Sequence, residues 1–239
     1  MRVADSKADE NQASLDVLLQ GAEKTFTNAE QLFFEAELLA KAGALARALC
    51  LHQISLEECS KVNNLGAWGV SLVLGLEVDQ KKVLAAFARH SSKNKSNAYM
   101  LESSEEEREA RARGDWKGAI EAFRRTQDEF HRESNQNKNA SFYVDWVGGE
   151  FVAPNERITG EMLQEITDRN AEFLGYAQNE LNALRTLTAS PDVLRDLLSD
   201  VVEESEKLRA EKPDNLAEAM DAMLSRFLEA GKAKSGNRA

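Results

Sequence analysis

Histidine occurs three times in the chain, at positions 52, 90 and 131. His90 lies in FARHSSK, with Arg89 before it and Lys93 after it. A histidine between cations has the parts for phosphodiester chemistry. It moves a proton near neutral pH, and the cations hold the negative charge that develops. The same residues also suit a solvated helix end, where positive charge is favourable.

A second set of polar residues lies in GALARALCLHQISLEECSKV, Gly43 to Val62. From Ala44 to Leu56 this stretch is apolar on nearly every side, which marks a buried helix. At about 100° per residue, Arg47, Glu58 and Lys61 share a stripe roughly 60° wide. Buried charges must pair, because a lone one is costly. One reading is structural, with Arg47 paired to a distant carboxylate and Glu57 to Lys61 at i,i+4. The other is a polar site on a rigid core helix. His52 sits on the Leu45, Leu56 and Cys59 side and reads as a core histidine with a hydrogen-bond partner.

His131 is spaced from Arg124 and Arg125 by seven and six residues. Arg124 shares its helix face, and Arg125 gives an Arg-x5-His pattern. An ordinary charged helix surface accounts for the same residues. No two histidines have metal-ligand spacing, and no paired-cysteine motif, phosphate-binding glycine loop or nucleophile elbow occurs. No metal or cofactor is expected.

The elements that carry these residues read as helices. The 239 residues include only 3 Pro and are 42% hydrophobic, rich in Ala, Leu, Glu and Lys. This composition predicts an all-α protein. Residues 1 to about 13 read as disordered, with a short helix beginning at Ser14. Thr27 and Glu30 offer a capping box for a helix over 27–42. Gly43 separates it from a helix over 44–62, ended by Asn63, Asn64 and Gly66, so the two are antiparallel neighbours. Residues 65–78 read as a buried, loosely helical connection in which glycines permit close approach. Asp79 caps the next helix, with Val83, Leu84 and Phe87 inward. Residues 101–113 form a charged helical face. Trp116 to about His131 keeps helical spacing, and the polar run Glu133 to Ala140 reads as a loop. FYVDWVGGEFV, 142–152, reads as a small hairpin about Gly148-Gly149. Thr159 starts a long helix to about Leu187. Helices near 191–210 and 214–230 follow, and 231–239 frays.

Net charge is −11, which disfavours duplex DNA as a partner. Cys50 and Cys59 would lie ~13 Å apart on one helix, too far to bridge. The N-terminus is polar and carries no secretory signal. The longest apolar run, Leu65 to Leu76, is too short for a bilayer. A cytoplasmic protein with no membrane association is expected.

Three features together resemble the HEPN superfamily, and within it the AbiV-type abortive infection proteins. They are the core helix Arg47 through Lys61, the element Phe87, His90 and Lys93, and the segment Tyr143, Val144 and Asp145 followed by Pro154 and a new helix. The resemblance covers about residues 25–187. It implies an up-and-down helical bundle; the small hairpin within it, the tail and short helix at 1–24, the two-helix extension at 188–230 outside the resemblance and the tail at 231–239 are read from the residues themselves. It also implies a phage-defence role. Many HEPN proteins are dimeric, metal-independent endoribonucleases with an Arg-x4-6-His signature. AbiV-type proteins are linked to halting translation by binding a phage protein. On the first reading the catalytic set is His90, Arg89, Lys93, Glu58 and Lys61, supported by Arg47, Glu57, Tyr143 and Asp145. Arg124, Arg125 and His131 are the alternative set. On the second reading the chain binds a phage or host protein without catalysis. A homodimer is expected on the first.

Overall fold

The computed structural model describes residues 13–192 and residue 195, apart from the side chains of His90 and Ser91. The expected N-terminal tail, the helix near 214–230 and most of the helix near 191–210 lie outside the described residues, as does the tail at 231–239. The chain divides into two units. One comprises Met1–Leu72, Leu76–Glu102 and Arg125–Ala189; the other comprises Val73–Gly75, Ser103–Arg124 and Ser190–Ala239.

Ser14 caps the first helix, α1 (Leu15–Lys41), by accepting the Val17 N–H. Helix α1 runs through the boundary expected at Thr27. Gly21 lies within it, where an added methyl would sit 3.7 Å from Leu65. The apolar residues Leu18, Ala22, Phe26, Ala29 and Ala36 keep one face buried, and α1 packs along α8 (Gly160–Ala189). Gly43, at φ +80°, ends the turn after α1. Ala44 N–H reaches the Leu39 carbonyl and Gly43 N–H that of Ala40, the paired bonds of a Schellman cap.

Helix α2 (Leu45–Val73) is longer than expected and continues through Asn63, Asn64 and Gly66. Packing overrides the local break signals. A methyl group on Gly69 would lie 2.6 Å from a Leu184 methyl of α8, and one on Gly66 would lie 2.8 Å from the Glu180 carboxylate. These glycines let α2 and α8 approach closely, as expected for this stretch. Leu49, Leu56, Cys59 and Val62 of α2 join Phe173, Ala177, Leu181 and Leu184 of α8 in the buried core.

Asp79 caps α3 (Gln80–Phe87) through the Lys82 N–H. Contrary to expectation, Val83, Leu84 and Phe87 are not buried among the described residues; Leu84 is exposed and Val83 and Phe87 are half-buried. Helix α4 (His90–Asn97) follows, then a 3-10 turn over Ala98–Met100. In the second unit, Ser104 caps α5 (Glu105–Ala112), where Arg111 binds the buried Glu107 at 2.8 Å.

Helix α6 (Trp116–Phe142) includes the polar run expected as a loop. Ser134, Lys138 and Ser141 recur at intervals of four and three, so they share one helix face; Ser134 and Ser141 are buried. Strands β1 (Asp145–Val147) and β2 (Glu150–Val152) form the expected antiparallel hairpin, with Trp146 opposite Phe151. Gly148 and Gly149 take φ +62° and +101°, the two left-handed positions of a type I′ turn. Pro154 opens the single turn α7 (Pro154–Arg157), and Thr159 caps α8 as expected. Over the described residues the architecture is an all-α HEPN-like bundle carrying one small hairpin. Among the described residues no helix is long and apolar enough to cross a membrane.

Candidate functional site

Helix α2 carries a band of buried polar side chains from His52 to Ser60. Its centre is Glu57, 1% exposed. One carboxylate oxygen accepts from Lys93 Nζ of α4 at 2.7 Å, and the other from Lys138 Nζ of α6 at 2.9 Å. A single carboxylate therefore ties three helices. Lys93 is itself buried, so each charge depends on its partner. Lys138 was not anticipated from the sequence.

Helix α4 meets α2 by polar contacts elsewhere too. Asn97 donates to the Leu56 carbonyl at 2.7 Å, and Ser96 bonds Asn64. Lys95 pairs with Asp128 at 2.7 Å and holds that carboxyl below the usual range. Asn94 is fully buried, and its side-chain amide has no hydrogen-bond partner among the described residues.

Lys61 pairs with Glu58, one turn away, rather than with Glu57. Arg47 lies over the Phe142 ring at 4.7 Å and donates to the Phe142 carbonyl. Tyr143 is exposed against the Phe142 ring, and Asp145 binds Arg157 at 2.6 Å. Arg47 and Tyr143 thus meet at the Phe142 ring, while Glu57 and Asp145 make their contacts elsewhere. Arg89 is exposed and donates to the Ala85 carbonyl. His90 is the first residue of α4, and its side chain lies outside the described atoms.

His52 is the core histidine expected. Asn170 Nδ2 donates to Nδ1 at 3.1 Å, so Nε2 carries the proton and faces Thr167 Oγ1 at 3.0 Å. Burial lowers its pKa, opposed by Glu37 at 3.6 Å. Ser55 extends the network, 2.8 Å from the Ala29 carbonyl and 3.1 Å from Asn170 Oδ1. His131 is half-buried on α6, and its Nδ1 has no partner among the described residues. Arg124 and Arg125 are exposed on the same helix.

Cys50 and Cys59 are buried free thiols. Burial raises both pKa values, that of Cys59 to about 12. Among the described residues no group of His, Cys, Asp and Glu is placed to hold a metal ion.

The hairpin end differs in character from the polar band. Phe142, Tyr143, Val144, Trp146, Val147 and Phe151 are all exposed, with Trp146 at 63% and Phe151 at 74%. The Trp146 and Phe151 rings meet edge to face at 4.9 Å, so the exposed apolar surface is ordered by a cross-strand pair.

The HEPN AbiV family model, described as AbiV, matches residues 17–175, from the first helix into α8. The chain belongs to the AbiV family of HEPN proteins. That membership points to an abortive-infection, HEPN-type role. This AbiV-family chain is also similar to the uncharacterized protein y4gJ of Sinorhizobium fredii (strain NBRC 101917 / NGR234), 63% identical over 109 residues. The aligned stretch covers 46% of this chain and 57% of that protein. No solved structure matches the chain.

Proposed function

We propose that this AbiV-family chain is a phage-defence effector that blocks translation by binding a phage or host protein through its hairpin. What carries this reading is the contrast between the hairpin and the polar band. Six large apolar side chains stand exposed between Phe142 and Phe151, a density that marks binding surfaces. Meanwhile Lys61, Lys93 and Lys138 are each engaged by an internal carboxylate. On this reading residues 25–187 form the working domain and 188–230 an extension.

The test is the double substitution Trp146→Ser with Phe151→Ser, scored for protection of cells against phage. The exposed positions predict an unchanged helical circular dichroism spectrum and lost protection. Full protection by the variant would sink the proposal.

A metal-independent endoribonuclease, acting as a homodimer in the cytoplasm, is the second reading. Exposed Arg89 beside His90 at the start of α4 favours it, as does His131 Nδ1, which has no hydrogen-bond partner among the described residues. Its site would combine His90, Arg89, Lys93, Glu58 and Lys61, with Arg124, Arg125 and His131 as the alternative. RNA cleavage in EDTA by the purified protein, lost in either His90→Ala or His131→Ala, would establish it. Equal cleavage by all three preparations would point to contamination.

A further inference from the structure

The hairpin leads back to the helices at Pro154, and a pocket opens there. Its volume is about 240 Å³, and it is lined by residues 43–47 at the start of α2 and by Pro154, Asn155 and Ile158. Ala46 and Ile158 are buried, and Leu45 and Pro154 half-buried, so the lining is mainly apolar. An apolar cavity of about 150 Å³ takes benzene. This pocket therefore has room for one large aliphatic side chain.

Arg47 is the one charged residue in the lining. Phe142 fixes its guanidinium twice: the ring lies 4.7 Å from it, and the carbonyl accepts from Nη1 at 3.2 Å. Arg47 makes no ion pair with a carboxylate among the described residues. Asp145 and Glu156, at the two ends of the hairpin, are already engaged, by Arg157 and by the Ala153 N–H. A guanidinium held in place with N–H donors to spare is pre-organised for a carboxylate.

The apolar lining and the cation share one small pocket, so a ligand must present an apolar group and a carboxylate close together. Successive side chains of an extended peptide point to opposite faces, which parts an internal acid from its apolar neighbour. A C-terminal residue carries both groups on one carbon. The net charge of −11 opposes such a ligand only weakly, because charges beyond about 8 Å are screened at physiological salt.

The geometry points to capture of a partner protein's C-terminus: a large aliphatic last residue fills the pocket, and its carboxylate pairs with Arg47. The class of partner rests on the hairpin reading above. Phe142, which holds Arg47, also meets the Tyr143 ring at 5.3 Å, so the pocket continues the exposed aromatic surface.

The test is an NMR titration of the full chain with three probes: N-acetyl-leucine, its neutral amide N-acetyl-leucinamide, and N-acetylglycine, which lacks the side chain. It is repeated on Arg47→Gln and on Ala44→Leu, which fills the pocket; thermal melts check that both variants fold. Expected is millimolar binding of N-acetyl-leucine, as suits a ligand of about a dozen heavy atoms. It should be roughly tenfold tighter than either control, with shifts centred on Leu45, Arg47 and Ile158. Arg47→Gln should abolish the preference for acid over amide, and Ala44→Leu the preference for leucine over glycine. Equal binding of acid and amide overturns the proposal. So does an acid preference that survives Arg47→Gln, or no binding of N-acetyl-leucine. Trp146→Ser with Phe151→Ser separates this inference from the hairpin reading. Full phage protection by that variant, with N-acetyl-leucine still bound through Arg47, sinks the hairpin reading and leaves the pocket standing. Lost protection without an acid preference sinks the pocket alone.

Discussion

Glu57 of α2 holds the Lys93 ammonium of α4 at 2.7 Å, with both groups buried. Lys138 of α6 shares the carboxylate, so among the described contacts two cations meet one anion in the interior. Removing the anion leaves both cations unpaired. Glu57→Ala is expected to cost about 3–5 kcal/mol in urea unfolding, as for other broken buried pairs. The triple variant Glu57→Leu, Lys93→Met, Lys138→Met removes all three charges together and is expected to be close to neutral or stabilising. A small loss in Glu57→Ala would mean that water reaches the cluster.

His52 couples stability to pH. Its pKa is lowered in the fold by burial, while the unfolded chain titrates near the ordinary value of about 6.5. Just below that pH the unfolded state binds the extra proton. Stability is therefore complete above about pH 6.5 and falls as the pH drops toward the folded value, with a slope of up to about 1.4 kcal/mol per pH unit. Urea unfolding of His52→Gln against the parent chain should show that slope missing. Parallel pH profiles would reject the assignment.

Two helical glycines should respond to alanine with opposite signs. At Gly69 the added methyl meets Leu184 at 2.6 Å and Leu187 at 3.2 Å, both in the buried core. Overpacking of about 1–3 kcal/mol opposes a propensity gain of about 1 kcal/mol, so Gly69→Ala should lower the melting temperature. Gly175 of α8 has open space around the same position, and Gly175→Ala should gain about 1 kcal/mol. Thermal melts of the two variants side by side check both signs.

The thiols should be inert. With its pKa pushed to about 12 and its side chain fully buried, Cys59 has almost no thiolate at pH 8. Cys50 is also raised and buried. A disulfide-exchange reagent should label neither in the folded protein and both in urea. Rapid labelling without denaturant would mean that α2 opens.

Features set by neighbours in the chain were legible in the sequence. Gly43 between two helices, the Asp79 and Thr159 caps and the Gly148-Gly149 hairpin need only local chemistry, and each stands where expected. The run 133–140 was not legible as a helix, because the face it turns inward is itself polar: Ser134 is buried and Lys138 reaches Glu57, while Glu133, Gln136 and Asn139 are exposed. The end of α2 was misplaced because its break residues meet later helices, Asn64 bonding Ser96 of α4 and Gly66 packing against Glu180 of α8. The site fared similarly. The sequence marks Glu57 and Lys93 as charged residues that need partners. Their pairing, and the part of Lys138, arise from three helices whose meeting leaves no local signature.

The glycine pair of the hairpin has a consequence for how the exposed aromatics are presented. Two left-handed residues in succession lock the strand register, so Trp146 and Phe151 sit across from each other. Their rings are therefore ordered before any partner arrives. A partner that docks on them meets a preformed template and pays little of the entropy that a flexible loop would charge for being ordered. On the proposed reading, docking at this tip begins from an ordered surface rather than a loop that must first be fixed.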